Sequence, residues 1–235
     1  MNRELWKDNY LESNPPFWPC PACGRETLQP IPKSLVTAVP SGYRLDPDIT
    51  PVDYEYRFNQ FFQCVIKECG DVICVSGSAA LNRSGGDASS DDAFIFTLYP
   101  RNIYRGLPII ACPMVTPEAA KRALESACTL FWVDLGSCAN KLRISVERIL
   151  DELGIPEARN LNERIKTFEK IDADHAETFH ALREVGNVGS HRGDNTRETI
   201  LDAFEVFEDA LRDLFGGQKD RIESLKKKIR TSRGI

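Results

Sequence analysis

"VTPEAAKRALESACTLFWVDL" (residues 115–135) is where the chain changes its periodicity. From Thr116 onward apolar residues recur with the 3.6-residue period of an amphipathic helix; before it they do not. The start is punctuated as helix starts are. Thr116 reads as the N-cap, Pro117 as the first helical position and Glu118 as an acid in the first turn. Beyond this stretch the pattern repeats. "GSCANKLRISVERILDELGI" (136–155) puts Leu142, Val146, Ile149, Leu150 and Leu153 on one stripe, and Gly154 stops it. "NLNERIKTFEKI" (160–171), "DADHAETFHALREVGNVGSH" (172–191) and "NTRETILDAFEVFEDALRDLFGG" (195–217) read as three more helices. A basic helix, "KDRIESLKKKIR" (219–230), closes the series. Helices of this kind joined by short loops predict a bundle over residues 114–235.

Residues 1–113 are punctuated differently, with Pro, Gly, Ser and aromatics, and their apolar residues alternate or come in short runs. "YEYRFNQFFQC" (54–64) sets Tyr54, Tyr56, Phe58, Phe62 and Cys64 at even spacing, a strand with one aromatic face. "DVICVSG" (71–77) and "AFIFTLYP" (93–100) read as two further strands. The small, polar, Gly-rich "SGSAALNRSGGDASSDD" (76–92) between them reads as a hairpin tip. The fold class expected is therefore α+β: a small β-rich domain followed by an all-α one.

The β-rich half carries two cysteine pairs. "WPCPACGRE" (18–26) gives Cys20 and Cys23, followed by Gly24; "FFQCVIKECGD" (61–71) gives Cys64 and Cys69, followed by Gly70. Tetrahedral zinc takes four soft ligands at about 2.3 Å. A short Cys pair lets the backbone turn so that both sulfurs face one point, and a glycine just after it permits positive φ. Two such turns predict a zinc ribbon whose structural zinc is held by all four cysteines and closed to substrate. Cys74, Cys112, Cys128 and Cys138 read as core.

The whole chain has 235 residues, 42% apolar and 28% charged, with a formal net charge of −5. That balance excludes a uniformly basic nucleic-acid binder. Charge is uneven, however: Lys219 to Ile235 holds seven Lys/Arg against two Asp/Glu. No apolar run approaches the roughly 20 residues of a membrane span. The opening residues have no apolar signal core, so a cytoplasmic protein without membrane contact is expected, and a reducing compartment favours metal over disulfides for the cysteines. No P-loop and no strand-led GxGxxG is present, which argues against ATPase or dinucleotide chemistry.

One helical stretch is built unlike the rest. "HALREVGNVGSHRG" (180–193) places His180, Arg183, Asn187 and His191 within about 80° of one another at 100° per residue. Phe179, Leu182 and Val185 fall at other angles. An imidazole, with an ordinary pKa near 6.5, exchanges protons at neutral pH. A guanidinium grips a phosphate. Such a set suits metal-free attack of an RNA 2′-hydroxyl on its own phosphate, and Gly186 and Gly189 permit close approach of a phosphate backbone or a second helix. The plainer reading is a helix end whose polar groups satisfy one another.

"WPCPACG", "CVIKECG", the "EAAKRAL…CANKLRISVERIL" helix pair and "ALREVGNVGSH" together resemble the bacterial family called domain of unknown function 4145. That family is similar to the HEPN superfamily of four- and five-helix bundles. The resemblance implies a HEPN-like bundle, a homodimer, and a metal-independent endoribonuclease site made from an Arg-x(4–6)-His motif of each protomer. It further implies RNA or a partner protein of a phage-defence or toxin/restriction-type system as the interacting molecule. Carried onto this chain, Arg183 is the phosphate clamp, Asn187 the orienting residue and His191 the acid–base, with His180 as a second proton-transfer group. Seven residues separate Arg183 from His191, longer than the motif. The alternative is a non-catalytic nucleic-acid- or protein-binding adaptor in which the Arg–Asn–His stripe forms the dimer interface.

Overall fold

The computed structural model describes residues 1–45, 48–83, 94–191 and 195–232. The chain is α+β and forms two compact units, Asn2–Ile109 and Met1 with Ile110–Ile235.

Among the described residues the first unit holds an antiparallel sheet of six strands: β1 (Tyr10–Leu11), β2 (Leu28–Pro30), β3 (Val36–Ala38), β4 (Tyr56–Cys64), β5 (Val72–Arg83) and β6 (Phe94–Tyr104). Their order is β1-β6-β5-β4-β2, with β3 also paired to β4. β4 alternates as its sequence demands: Phe58, Gln60, Phe62 and Cys64 are buried while Arg57, Asn59, Phe61 and Gln63 are exposed. Gln60 interrupts the aromatic face because its Oε1 accepts a hydrogen bond from the Tyr10 hydroxyl at 2.8 Å, so both polar groups are satisfied inside the core. Burial holds the Tyr10 phenol above its ordinary pKa. Trp18 packs edge-on to Tyr10 at 5.5 Å and against Phe62 at 5.2 Å, and its indole N–H donates to the Leu5 carbonyl at 2.7 Å.

Two details differ from expectation. The sheet is larger than a zinc ribbon, because strands of two and three residues extend it at both edges. And residues 76–83 are strand, not hairpin tip: Ser78, Ala79 and Ala80 pair with Tyr99, Leu98 and Thr97 on β6. Small residues are chosen there because the backbones crowd. A Cβ on Gly77 would lie 2.0 Å from the Tyr99 carbonyl oxygen, beside a bulge that leaves Arg101 unpaired between Pro100 and Asn102. Residues 84–92 of the expected tip lie outside the described residues.

The second unit holds six helices among the described residues: α1 (Glu118–Leu130), α2 (Leu135–Glu152), α3 (Leu161–Glu169), α4 (Ala173–His191), α5 (Arg197–Phe215) and α6 (Gln218–Ser232). Thr116 does not cap α1; Pro117 holds that position. Asp134 caps α2 by accepting from Gly136 N–H at 2.9 Å, Asn160 caps α3 through Glu163 N–H at 3.0 Å, and Thr196 caps α5 through Thr199 N–H at 3.1 Å. α2 is central and packs on both α1 and α4. Leu142, Val146, Ile149 and Leu150 are buried as expected, while Leu153 lies at the surface. Cys128 and Cys138 are buried; Cys112 and, in the sheet, Cys74 are only half-buried. Arg164 on α3 ties α3 to α2 and to the turn after it. Its guanidinium donates to the Ile155 carbonyl at 2.7 Å and the Glu147 carbonyl at 3.3 Å, and pairs with Asp151 at 2.7 Å. The carbonyls at the end of α2 are met by backbone instead: Leu153 N–H donates to Ile149 and Ile155 N–H to Leu150. No helix among the described residues is long and apolar enough to cross a membrane.

The close approach at the bulge is directly testable. Gly77→Ala should destabilise the sheet unit by about 3 kcal/mol, because a carbonyl oxygen cannot move aside as a flexible side chain would. Urea unfolding followed by tryptophan fluorescence measures it, and an unchanged midpoint would contradict the packing described.

Candidate functional site

Four cysteines meet at one end of the sheet. β4 delivers Cys64 as its last residue, and the chain turns back at once. Cys69 N–H and Gly70 N–H both donate to the Ile66 carbonyl at 2.9 Å, and Gly70 takes φ +58° to close the turn. The second turn is built alike: Gly24 N–H donates to the Cys20 carbonyl at 2.7 Å, Cys20 N–H to the Arg25 carbonyl at 2.8 Å, and Gly24 takes φ +71°. Pairing of β2 with β4, which sets Leu28 opposite Cys64, carries one turn onto the other. As a result the Sγ atoms of Cys20, Cys23, Cys64 and Cys69 all lie within 4.8 Å of one another. Cys20 is 3.7 Å from Cys69, and Cys23 is 3.8 Å from Cys64. The four residues are placed to hold a metal ion, and the sequence had grouped the same four.

Their surroundings differ. The Thr27 hydroxyl lies 3.1 Å from Cys64 Sγ and, by hydrogen bonding to the thiolate, lowers that thiol to about 7. Burial pushes the Cys20 thiol up to about 12. As a free thiol, then, Cys64 ionises before Cys20.

The second candidate lies on α4. The helix runs unbroken from Ala173 to His191, so the positions of His180, Arg183, Asn187 and His191 fall on one side, as their spacing required. His180 is half-buried and Asn187 is exposed. Arg183 keeps only 20% of its side chain exposed; its Nη2 lies 3.2 Å from the Glu184 carboxylate. Its Nε is buried with no hydrogen-bond partner among the described residues. The side chain of His191 lies outside what the structure describes. Phe179 and Leu182, at other angles around the helix, are buried. Of the two roles open to Gly186, the structure shows helix packing: a Cβ there would lie 2.8 Å from Arg143 Cβ and 3.2 Å from the Ala139 carbonyl oxygen on α2. The carbonyl of Val185 accepts from the Asn195 side chain at 3.2 Å, so a residue beyond the stripe satisfies that backbone group.

His175 was passed over in the sequence and turns out to be tightly held. Its Nδ1 is 2.6 Å from Asp172 Oδ2, its Nε2 is 3.4 Å from Asp213 Oδ2, and its backbone N–H donates to Asp172 Oδ1 at 3.2 Å. The Asp-x-x-His spacing at the start of α4 could have signalled the first contact. Nothing local signals Asp213, on α5.

The helices containing both the stripe and His175 resemble a known family. Residues 125–232 match the family described as Domain of unknown function (DUF4145). Over that stretch the chain is similar to DUF4145 domains. The match begins inside α1 and runs through α6, so it takes in Arg183, Asn187 and His191 and leaves out the cysteine cluster. No curated protein and no solved structure matches the chain.

The packing role of Gly186 predicts that Gly186→Val separates α2 from α4 and costs about 2–3 kcal/mol. A thermal melt of the full chain would show this as a drop of several degrees. An unshifted melt would show that α4 does not rest on α2 there.

Proposed function

We propose that the protein is a HEPN-like endoribonuclease that works as a homodimer and needs no catalytic metal, with a structural zinc ion in its sheet unit. The observation that carries the first part is the buried, unpartnered Nε of Arg183, on the side of α4 that also bears the positions of His180, Asn187 and His191. A buried guanidinium donor without an acceptor calls for an anion, and a phosphate supplies three acceptor oxygens. In this reading Arg183 leaves Glu184 for a non-bridging phosphate oxygen. A histidine removes the proton of the RNA 2′-hydroxyl, the 2′-oxygen bonds to phosphorus, and the bond to the 5′-oxygen breaks. A second imidazole protonates that 5′-oxygen, giving a 2′,3′-cyclic phosphate and a free 5′-hydroxyl. His191 is the main acid–base, His180 the second proton-transfer group and Asn187 the orienting residue. Phage defence or a toxin/restriction-type system is the setting this chemistry suits.

Zinc is the ion of choice for the cluster. Four sulfurs at about 2.3 Å from a tetrahedral centre stand about 3.8 Å apart, which is the spacing of the Cys20–Cys69 and Cys23–Cys64 pairs. Four thiolates leave no open position, so zinc here would tie the two turns together and take no part in cleavage.

The second reading, a non-catalytic adaptor that binds nucleic acid or protein and dimerises through the stripe, has its own support. Gly186 is committed to α2 and Arg183 already has a carboxylate neighbour, so part of this region serves packing.

Incubating the purified protein with cellular RNA in EDTA, beside Arg183→Ala and His191→Ala, separates the two. Cleavage with cyclic phosphate ends, reduced by about 10²-fold or more in both variants with the fold retained, is expected. No cleavage by wild type, with a weaker dimer in the variants, would establish the adaptor instead. For the zinc, metal analysis should find one ion per chain, lost in Cys20→Ser. Because the ion displaces protons from thiols, its affinity should rise with pH and fall as the solution is acidified below the Cys64 range. A pH-independent affinity would rule out thiolate ligation.

A further inference from the structure

The outward face of the β4–β5–β6 sheet carries chemistry that neither the cysteine cluster nor the α4 stripe uses. We infer that this face binds single-stranded nucleic acid, stacking bases on Phe61 and Tyr104 and holding phosphate between Arg57 and Arg101. The inference concerns the sheet unit alone and stands whether or not the protein cleaves RNA.

Register fixes which residues share the face. Phe61 on β4 lies opposite Cys74 on β5, and Cys74 lies opposite Tyr104 on β6. The two aromatics therefore flank a small residue on one row, about 10 Å apart at the usual strand spacing. Both rings face solvent: Tyr104 is 71% exposed and Phe61 45%. Phe61 stands inside β4 and Tyr104 ends β6, so two large exposed aromatics share one outward row, a surface suited to contact.

The next rows are polar. Asn59 lies opposite Ser76, and Arg57 opposite Ser78. The bulge pushes Arg101 out beside them, and together these residues line a shallow depression of about 490 Å³. Arg57 pairs with the carboxylate of Glu55 at 2.8 Å, and Glu55 also lines the depression, so a phosphate would take Arg57 over from that carboxylate. The side chains of Asn59, Ser76, Ser78 and Arg101 make no hydrogen bond or ion pair to the described residues.

One face thus offers two stacking surfaces, two guanidiniums and a set of unused donors. A protein partner would have to bury the polar rows beside the aromatics. A duplex hides the faces of its bases. A single strand presents bases for the rings and phosphates for the arginines, and stacking accepts any base.

The test uses the full chain and a fluorescent oligodeoxythymidine of ~15 nucleotides. Lacking 2′-hydroxyls, it cannot be cut by the proposed reaction, so the result is independent of nuclease activity. Anisotropy at low salt should show saturable binding, at least about tenfold tighter than to a duplex of equal length. Tyr104→Ala and Phe61→Ala should each weaken it about tenfold, and Tyr104→Phe should restore it. Arg57→Ala and Arg101→Ala should each lower the slope of log affinity against log salt by about 0.7. Equal affinity for duplex, no binding, aromatic variants that bind like the parent, or loss of binding in Arg183→Ala alone would overturn the assignment. So would displacement by polyglutamate as effective as by unlabelled oligonucleotide, which would make the face a site for acidic protein.

Discussion

Two tight turns, separated by some forty residues of chain, must bring four sulfurs to one point, and most of the sheet unit is arranged around that requirement. Closing a loop of that length costs conformational entropy that short-range contacts cannot return. The structure meets the cost from several directions. β2 lies along β4, Trp18 is pinned through its indole N–H to Leu5, and Thr27 bonds to Cys64. The edge strands β1, β2 and β3 are only two and three residues long, so these side-chain contacts supplement a short backbone ladder.

The helical unit solves a different problem. Its helices are long enough to bury apolar stripes, so packing carries them, and polar residues appear where helices end or cross. Arg164 ties α3 to α2 and the turn after it, and His175 joins the start of α4 to α5. Gly186 lets α4 touch α2 at the level of the stripe. The helical unit therefore positions Arg183 through helix packing and leaves Asn187 exposed.

How much could be read beforehand followed from how local each signal was. The helices were legible because the 3.6 period persists over many residues; only the α1 cap slipped, to Pro117. The cysteine set was legible because each pair with its glycine is a local turn. β1, β2 and β3 were not, since so few residues hold no period. The second half of β5 was misread as loop because Ser, Gly and Ala look like turn residues, while here Gly77 answers to crowding from Tyr99 across the strand pair. The His175–Asp213 contact was out of reach because it joins residues 38 apart in sequence through the tertiary fold. The reason for Gln60 in an aromatic row was hidden likewise until Tyr10 was seen opposite it.

The pairing of Leu28 with Cys64 has one more consequence. Side chains alternate faces along a strand, so sliding β2 past β4 by a single residue would turn Cys64 away from Cys20 and Cys23. An ion that needs all four sulfurs can be captured only by the correctly paired sheet. Metal capture would in that way proofread strand alignment, rejecting misregistered chains that hydrophobic contacts alone would tolerate.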